Sequence, residues 1–364
     1  KKAKSCYEKV IKIDPKHANA HNNLGVISKE LGEHQQARNC YEKAIQIKPN
    51  HADAHANLGI LLLLLSYFQK GFDEYEWRKK LPKSFYKAKN IESSEWQGED
   101  LTNKTILVLS EQGLGDIIHF ARYLFMLQDK YSVKIIFSTQ KKLIHLFSKS
   151  KFKVISNESP LPKHDFHQFL CSLPKIFYKE TKTIPKHINY ISRDKKFFLK
   201  WKDKLTTLDG LKVGINWQGS KAYGFDRSRS IPLKCFEQLF TLEKINFISL
   251  QKGFGTEQIK NFKYKDKLYD FSSEMDNGEN AFEDTVGIIQ NLDLIISPDT
   301  SLSHLTATLG INTWVLLSFS PHWVWSFKST DCLWYTNTKL YRQNEINKWD
   351  LVFNNVKKDL INLK

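Results

Sequence analysis

A period of 34 residues runs through the first 82 residues, and it restricts the fold of that segment more than any other feature of the chain. Tyr7, Tyr41 and Tyr75 recur at this interval, and so do Pro15 and Pro49. Further positions repeat in the same way: Leu24 and Leu58, Gly25 and Gly59, and Ala3, Ala37 and Gly71. Units of this length form one supersecondary element each and bury their apolar side against the next unit. Residues 1–82 are therefore predicted to form an all-α solenoid of paired helices.

The repeat resembles the tetratricopeptide repeat (TPR), in which small residues lie where paired helices touch and proline follows the second helix. Residues 22–50 match that pattern over their whole length, and the chain is expected to open on the second helix of a repeat. Asn23 and Asn57 take the position that, in the TPR arrays of protein O-glycosyltransferases, belongs to an asparagine ladder along an extended peptide. The resemblance implies a surface that binds a protein partner.

Repeat packing also accounts for residues that would otherwise suggest a metal site. Three pairs occupy equivalent repeat positions: Cys6 and Cys40, His17 and His51, and His21 and His55. A shared position predicts a shared structural role, so metal ligation is not expected there. The five cysteines of the chain include no C-x-x-C pair, so neither a disulfide framework nor a zinc site is predicted.

The chain of 364 residues carries a net charge of +16, and the excess is unevenly placed. Residues 206–364 contain equal numbers of basic and acidic side chains, so the whole excess lies in the first 205 residues. This predicts either an acidic acceptor or partner, attracted by the long-range field, or a lysine-rich solvated surface without a ligand. No recognised nucleic-acid-binding motif accompanies the charge, so specific nucleic-acid binding is not expected.

No apolar run reaches the length of a membrane span, since the longest one, residues 60–65, falls far short of the ~20 residues that a spanning helix needs. The first residues show no signal-peptide core. A cytoplasmic location is therefore expected, and peripheral membrane association stays open.

Residues 83–103 are polar and acidic and are predicted to be a linker that packs back through Trp96. Beyond it, short apolar runs alternate with helix-length segments. The predicted strands are 105–109, 133–137, 153–155 and 189–191, and then, after a helix at 195–205, 213–217, 245–250, 268–271, 292–296 and 313–317. Two successive βαβ sets predict two parallel-sheet domains, at 104–208 and 209–345, with a C-terminal helix at 346–364. A ligand is expected in the cleft between the carboxyl ends of their strands.

A strand-turn-helix unit at residues 292–310 is a candidate anion site. The apolar run predicts a buried strand that Pro298 ends, and Asp299, Thr300 and Ser301 are all suited to begin a helix. The amides and positive dipole of such a helix end attract a phosphate. The competing interpretation is an ordinary capped helix whose His304 faces the core.

Gly113 and Gly115 directly follow the first strand of the predicted sheets, where they permit a tight turn and a close backbone approach. The dinucleotide-binding fingerprint is incomplete because its third glycine is absent. Asp116 is predicted to begin the next helix with its carboxylate facing the cleft, or merely to cap that helix.

Basic residues follow two strands of the second predicted sheet. Lys221, Arg227 and Arg229 come after the strand 213–217, and Lys252 comes after the next strand. Arginine binds a diphosphate bidentately and lysine binds it as a point charge. Each of these residues alone is typical of a solvated surface, but together at strand ends facing one cleft they favour a diphosphate site.

These segments resemble, in the same order, the motifs of the heptosyltransferase family (glycosyltransferase family 9), in the branch that is fused to TPR repeats. The matching segments are GLGDIIHFARY (113–123), VGINWQGS (213–220), RSIPL (229–233), ISLQKG (248–253), the pair Asp284 and Thr285, NLDLIISPDTSLSHLTATLG (291–310) and SFSPHWVW (318–325). The resemblance covers residues 104–345. It implies an α/β GT-B fold, with two facing Rossmann-like domains, the acceptor on the first and the nucleotide-sugar donor on the second.

The resemblance also implies roles for individual residues. Asp116 resembles the general base that deprotonates the acceptor hydroxyl, and His304 resembles a contact of the leaving group, so these two are the catalytic candidates. The residues implied for the donor diphosphate are Lys221, Arg227, Arg229, Lys252, Asp299, Thr300, Ser301 and His304. Those implied for the acceptor side are Gly113, Gly115, His119 and Arg122. Which basic residue contacts the diphosphate stays open, and the lead-in Ser297-Pro298 departs from the usual family pattern.

The implied reaction is an inverting transfer of a sugar from a nucleotide-sugar donor to a glycan or protein acceptor, with the repeats recruiting the acceptor or a partner. Such a transfer needs a carboxylate near the acceptor oxygen and positive charge on the departing diphosphate. The chain contains no D-x-D triplet, so a site without metal or cofactor is expected, in which a helix end and basic side chains replace the cation. The alternatives are a non-catalytic TPR scaffold with a degenerate GT-B domain and a basic repeat protein that binds nucleic acid.

Overall fold

The structure, a computed structural model, describes residues 2–81, 91–186, 189–220, 226–327 and 329–363, and the side chain of Arg227 is not among the described ones. The chain forms two compact units. One comprises Lys1–Glu92, Ser172–Ile184 and Phe319–Ser329, and we call it the helical unit. The other comprises Ser93–Cys171, Pro185–Ser318 and Thr330–Lys364, and we call it the sheet unit.

The helices and strands are numbered in chain order. The α-helices are α1 (Lys2–Ile13), α2 (Ala18–Glu30), α3 (His34–Ile47), α4 (Ala52–Leu64), α5 (Phe68–Tyr75), α6 (Leu114–Phe120), α7 (Arg122–Lys130), α8 (Leu173–Thr181), α9 (Lys195–Leu205), α10 (Asp226–Arg229), α11 (Glu283–Ile289), α12 (Ser301–Thr308) and α13 (Asp350–Asn362). Segments of 3₁₀ helix lie at Glu76–Lys80, Lys141–Phe147, Leu170–Ser172, Leu233–Gln238, Thr256–Asn261, Lys265–Lys267 and Trp323–Trp325. The strands are β1 (Ser94–Glu95), β2 (Thr105–Leu109), β3 (Lys134–Thr139), β4 (Lys153–Ser156), β5 (Phe166–Phe169), β6 (Leu211–Ile215), β7 (Ile245–Ser249), β8 (Leu268–Asp270), β9 (Leu294–Pro298), β10 (Thr313–Leu317) and β11 (Thr338–Arg342). Within the described ranges, each helix is too short or too polar to span a membrane.

Helices α1–α5 are the predicted repeat helices, and small residues lie where these helices touch. A side chain at Gly25 would overlap the ring of Tyr41, and one at Gly59 would overlap the backbone of Tyr75. Tyr41 is fully buried and packs with Leu61 in the core of the repeats. Glycine is therefore required at these two positions because any larger residue would separate the helices.

Histidines at equivalent repeat positions have equivalent structural roles. His17 and His51 precede α2 and α4, and Nδ1 of each accepts a hydrogen bond from the amide three residues later, at 3.1 and 3.4 Å. His21 and His55 each place Nε2 beside the carbonyl oxygen of the repeat proline, at 3.0 and 2.9 Å. Capping and packing account for these pairs, and within the described ranges no group of three or more His, Cys, Asp or Glu residues could hold a metal ion.

Two segments from outside the repeats belong to the helical unit. Helix α8 packs Tyr178 against Phe68 and Phe72 of α5. Trp323 packs against Phe72 and Tyr75 and is buried. The helical unit therefore takes in parts of both segments that are predicted to form sheet domains, 104–208 and 209–345.

The first sheet of the sheet unit is parallel, with the strand order β1-β5-β2-β3-β4. Strand β1 lies within the predicted linker, and Trp96 beside it is buried, with its Nε1 donating to the carbonyl oxygen of Glu99 at 2.8 Å. The predicted strand 189–191 is wrong. Asn189 has a positive φ of 65°, and its amide donates to the carbonyl oxygen of Thr308 instead of joining a sheet.

The second sheet is also parallel, with the strand order β11-β10-β9-β6-β7-β8. This is the order of a dinucleotide-binding Rossmann sheet. Strand β9 continues through Pro298 instead of ending before it, and proline is tolerated there because the strand needs no further donor. Helix α13 covers one face of the sheet and buries Val352, Phe353 and Val356 in its core.

The strand order of each sheet reverses once, between β2 and β5 in the first sheet and between β6 and β9 in the second. Ligands of open parallel sheets bind outside the carboxyl ends of the strands at such a reversal. Helix α6 follows β2 and helix α12 follows β9, so both helices begin at the edge where a ligand is expected.

Candidate functional site

Helix α12 begins at Ser301, and the side chain of its N-cap residue, Thr300, makes no capping hydrogen bond. The hydroxyl of Thr300 instead donates to Oδ1 of Asn216 at 3.4 Å, and that of Ser303 donates to the carbonyl oxygen of Pro298 at 2.6 Å. The first amides of a helix have no partner within the helix, and its positive dipole end attracts anions. The turn therefore has the properties of the predicted anion site.

Arg229 joins the two loops at the strand-order reversal of the second sheet. Its Nη1 donates to the carbonyl oxygen of Asp299 at 2.8 Å, and its Nε donates to Oδ1 of Asp226 at 3.1 Å. A side chain at Gly219 would collide with Asp226 and Arg229, so glycine allows this ion pair to lie against the loop. The arrangement holds a cation directly beside the start of α12.

Gln251 shapes the loop after β6, and this role is not predicted from its position after β7. Its Oε1 accepts hydrogen bonds from Nδ2 of Asn216 at 2.7 Å and from the amides of Trp217 and Gln218 at 3.2 and 3.0 Å. The side chain is buried, so these bonds form away from competing water. Gln251 thereby fixes the Asn216 amide group that meets Thr300.

The other predicted cations stand apart from this turn or are not described. Lys252 is exposed, and its Nζ donates to the carbonyl oxygen of Ser272 and to Oδ1 of Asn277, both at 2.7 Å. Lys221 lies outside the described residues, and so does the side chain of Arg227. Of the two predicted cations with described side chains, Arg229 hydrogen-bonds the turn and Lys252 bonds another loop.

Helix α6 begins at Leu114, two residues before the predicted start at Asp116, because Gly113 takes the N-cap position. Oδ2 of Asp116 accepts a hydrogen bond from the amide of Gly113 at 3.1 Å. The carboxylate is half-buried and closes its own helix end. The tight turn before the helix is made by Gln112, whose φ is 63°, and not by either glycine.

The starts of α6 and α12 face each other at Gly115. A side chain there would come within 3.1 Å of Cδ2 of His304 and within 3.3 Å of Cα of Ser301. Gly115 therefore permits a close approach, as predicted, although its partner is another helix. Because Asp116 follows Gly115 directly, the first turn of α6 that bears this carboxylate lies against the start of α12.

Three of the predicted site residues lie in the interior. His119 and Arg122 have no exposed surface, and His304 is 5% exposed. Nδ1 of His119 and Nδ1 of His304 lie 2.7 and 3.1 Å from the hydroxyl oxygen of Tyr335, a residue that carries no sequence signal for this role. To contact an acceptor directly, His119 and Arg122 would have to become exposed. Their buried hydrogen bonds instead fit a role in positioning neighbouring residues.

Asp284 and Thr285, the pair that the sequence marks as a family motif, lie in the first turn of α11. The carboxylate of Asp276 accepts hydrogen bonds from the amide of Asp284 at 2.7 Å and from the hydroxyl of Thr285. Oδ1 of Asp284 accepts from Nζ of Lys200 at 2.6 Å and from Nε1 of Trp201 at 2.8 Å. Burial acts to raise the pKa of Asp284, but the bonds from Lys200 and Trp201 outweigh it and hold that pKa below its ordinary value.

A cavity of about 340 Å³ lies between the segment Lys141–Phe147 and the starts of α9 and α11. Its lining combines basic residues with apolar and aromatic ones, among them His145, Lys149, Arg193, Lys195, Phe197 and Phe282. Within the described structure neither ring nitrogen of His145 has a hydrogen-bond partner in good geometry. Burial lowers the pKa of His145, against the opposing charges of Glu283 and Asp276.

The N-terminal repeats match a known family. Three tetratricopeptide repeat models match residues 1–17, 18–51 and 40–72. The prediction of TPR repeats in this part of the chain is therefore confirmed.

Protein FlbA of Caulobacter vibrioides is 21% identical in a match of 310 residues, and the match covers 79% of this chain and 52% of FlbA. The chain thus spans about half the length of this relative.

Solved structures resemble the two sheets. The structure of a family 9 glycosyl transferase from Veillonella parvula superposes with a TM-score of 0.51 at 10% identity and covers 73% of this chain and 97% of that one. The Escherichia coli heptosyltransferase WaaC, solved with ADP-2-deoxy-2-fluoro heptose, gives a TM-score of 0.46 at 12% identity over 71% of this chain and 100% of its own. The first likeness, together with the two Rossmann-like sheets, confirms the predicted GT-B fold.

Proposed function

We propose that this chain is an inverting glycosyltransferase that moves a sugar from a nucleotide-sugar donor to an acceptor hydroxyl. One observation carries the proposal: the start of α12 meets the start of α6 at the close contact of Gly115. Arg229 lies beside the α12 start, and Asp116 lies in the first turn of α6. Such a transfer requires a carboxylate near the acceptor oxygen and an anion-binding group at the departing diphosphate.

The reaction assigns one role to each side. The carboxylate of Asp116 takes the proton of the acceptor hydroxyl as the acceptor oxygen bonds to the anomeric carbon of the sugar. The bond from that carbon to the diphosphate breaks, and the nucleoside diphosphate leaves with the electron pair. The charge that develops on it is stabilised by the first amides of α12 and by Arg229, while His304 contacts the leaving group. Displacement from the opposite face inverts the anomeric centre.

The nucleotide sugar is a substrate, and the proposal includes neither a cofactor nor a metal ion. The positive charge that a divalent cation would supply comes from the helix dipole and the guanidinium, both of which lie at the turn. Asp299, Thr300 and Ser301 form that turn. Lys221 and Arg227 are further candidates for the diphosphate, and Lys252 for another part of the donor.

The acceptor is proposed to be an acidic glycan or a protein. The positive excess of the first 205 residues supports an acidic acceptor. The cavity near His145 and Lys149 is a candidate place for it, with Arg193 and Lys195 as well as Asp194 and Glu283 in its lining. The repeats are proposed to bind the acceptor or a protein partner, and the protein is proposed to act in the cytoplasm. Substitution of Lys149 by Glu is expected to raise the KM for the acceptor without changing nucleotide affinity.

A second candidate function is a non-catalytic scaffold that retains the fold. One observation favours it: the carboxylate of Asp116 is already engaged as the cap of its own helix. The bond uses Oδ2, and a carboxylate can take a proton on its other oxygen, so this engagement does not prevent base catalysis. The two candidates differ in turnover, since a scaffold would bind nucleotide without releasing free nucleoside diphosphate from a donor.

A panel of nucleotides tests the proposal. ADP, UDP and GDP, and the corresponding nucleotide sugars, are added to the full chain in the presence of EDTA, and the thermal unfolding midpoint is recorded. At least one diphosphate is expected to raise the midpoint, since a ligand at 100 times its Kd stabilises the folded state by about 2.7 kcal/mol. The matching nucleosides serve as controls because they lack the phosphates.

No shift with any diphosphate would contradict the donor site, and a shift that requires added Mg²⁺ would contradict its metal independence. Diphosphate binding without release of the nucleotide, across donors and candidate acceptors, would favour the scaffold.

A further inference from the structure

Thr300 is the N-cap residue of α12, and its backbone is extended, with φ −136° and ψ 172°. From this conformation a threonine hydroxyl ordinarily accepts a hydrogen bond from the amide of the second or third helical residue. The Thr300 hydroxyl makes no such bond. It is buried and lies 3.4 Å from Oδ1 of Asn216 and 3.3 Å from Oγ of Ser297. The direction of the side chain, and not the backbone, therefore keeps this hydroxyl from capping the helix.

The orientation of the Gln251 side chain is determined by backbone groups. Its Oε1 accepts hydrogen bonds from the amides of Trp217 and Gln218 at 3.2 and 3.0 Å. Its Nε2 donates to the carbonyl oxygens of Gln218 and Phe254 at 3.1 and 2.7 Å. A backbone amide only donates and a carbonyl oxygen only accepts, so the oxygen and the nitrogen of Gln251 cannot be exchanged.

The orientation of Gln251 determines that of Asn216. The Asn216 atom that lies 2.7 Å from Oε1 of Gln251 must be a donor, so it is Nδ2. Oδ1 of Asn216 consequently faces the hydroxyls of Ser297 and Thr300, at 3.3 and 3.4 Å. Because all four side chains are buried, this oxygen attracts the two hydroxyls without competition from water.

We propose that Asn216, itself held by Gln251, is a positioning residue that turns the Thr300 hydroxyl away from α12 and so leaves the first amides of this helix available to the donor diphosphate. The role of these amides rests on the proposed function. A capping hydroxyl and a phosphate oxygen would compete for the same N–H groups, because both accept hydrogen bonds from the first turn. Asn216 thus acts through Thr300 and not through a contact with the substrate.

The position of the hydroxyl can be tested without a ligand. Asn216→Leu replaces the carboxamide by an apolar group of similar size and leaves Gln251 with its four backbone hydrogen bonds. In a crystal structure of this variant without nucleotide, Oγ1 of Thr300 is expected within about 3.2 Å of the amide nitrogen of Leu302 or Ser303. A hydroxyl that bonds neither amide would overturn the proposal. Asn216→Ala carries the same expectation if the leucine variant does not fold.

Nucleotide affinity tests the consequence. The diphosphate among ADP, UDP and GDP that stabilises the full chain most is titrated by calorimetry without added metal. Asn216→Leu is expected to weaken its binding by about 2–30-fold, which corresponds to one side-chain cap. An unchanged Kd would overturn the proposal.

A second substitution separates capping from a general disturbance of the loop. Thr300→Val removes the hydroxyl and keeps the shape, so it is expected to raise the affinity of Asn216→Leu but to give no such gain in wild type. Thr306→Val is the matched control in the Asn216→Leu background, because the Thr306 hydroxyl donates to the carbonyl oxygen of Ser303 within the same helix. It is expected to give no gain. No gain from Thr300→Val, an equal gain from both, or a gain in wild type would each overturn the proposal.

The results also separate the positioning role from the donor site. A capped α12 in Asn216→Leu, together with a wild type that binds no diphosphate, would support the positioning role and contradict the proposed function. Equal diphosphate binding by wild type and Asn216→Leu would support the donor site and overturn the positioning role.

Discussion

Helices α6 and α12 both begin where the strand order of a parallel sheet reverses, but their first turns are satisfied differently. The start of α6 carries its own anion, because the Asp116 carboxylate accepts from the amide of Gly113. At the start of α12 the side chain of the N-cap residue Thr300 makes no capping bond, and its hydroxyl donates to Asn216 instead. Arg229 donates to the carbonyl oxygen of Asp299, just before this helix. Similar backbone geometry thus gives one helix end that repels a further anion and one that attracts it.

This difference underlies the proposed assignment of the diphosphate to the second sheet domain. A helix end stabilises an anion by about 0.3–1 kcal/mol at an exposed site and by more when it is partly buried, and a carboxylate already in place removes that gain. The proposed function therefore assigns the base to the first sheet domain and the leaving group to the second. Substitutions at the two helix ends are therefore expected to have separable effects.

The largest effect is expected from Asp116→Asn. The asparagine oxygen can still accept from the amide of Gly113, so the cap is kept while the base is lost. Transfer is expected to fall by about 10²–10⁴-fold, and the Kd of the nucleoside diphosphate is expected to stay the same. Steady-state kinetics with calorimetry checks both, and a variant that retains turnover would remove Asp116 as the base.

Arg229→Met tests the other end. Loss of a hydrogen-bonding cation beside the α12 start is expected to weaken nucleoside diphosphate binding by about 10–100-fold, from about 1.5–3 kcal/mol per charged hydrogen bond. Lys339→Met is the matched control, because that lysine bonds Oδ2 of Asp359 on α13 instead. Similar losses of affinity in the two variants would show that general positive charge, and not the helix end, binds the phosphate.

Gly115→Ala tests the contact between the two ends. The new methyl group would lie 3.1 Å from His304 and 3.3 Å from Ser301, so α6 and α12 must move apart by a few tenths of an ångström. We expect kcat to fall about tenfold, because the base shifts away from the reacting atoms. Gly113→Ala is the control, since its φ is −81° and its nearest neighbour is Oδ2 of Asp116 at 3.4 Å. Unchanged kcat in Gly115→Ala would mean that the spacing does not matter.

The smallest effect on function is expected at a third helix end, the start of α11, where Asp284 contributes to stability and not to the proposed site. Asp284→Asn removes the ion pair with Lys200 and is expected to lower the free energy of unfolding by about 1 kcal/mol near neutral pH, with nucleotide binding unchanged. The folded-state pKa of Asp284 lies below its ordinary value of 3.8, so its contribution is present above that pH and is lost as the pH falls through the folded-state pKa. Urea unfolding should therefore show wild type and variant converging in acid. A difference that persists there would contradict the electrostatic cause.

Much of the fold follows from local sequence. Strands β2 and β10 and helix α9 coincide with their predicted ranges, because each is an apolar or amphipathic run with clear ends. Strand β5 is not predicted, since its sequence includes His167 and Gln168, which are polar but buried. Their partners, Ser93 and the carbonyl oxygen of Trp96, are more than 70 positions away and give no local signal.

The candidate site is predictable in part for the same reason. The turn at Asp299 to Ser301 and the residues around Asp116 are contiguous motifs. Tyr335 hydrogen-bonds His119, which lies 216 positions earlier in the chain, so no local sequence motif indicates this contact. The burial of Arg122 is also not predictable, because its partners include the backbone carbonyls of Pro185 and Trp334. Sequence patterns thus locate the helix ends, whereas the contacts that orient their side chains come from the fold.

The most direct test of the central claim is a crystal structure with a bound nucleoside diphosphate, grown without divalent metal. The account predicts phosphate oxygens within hydrogen-bond distance of the first amides of α12, with the guanidinium of Arg229 beside them and no phosphate at the start of α6. A diphosphate bound at the α6 end, or away from both helix ends, would contradict it.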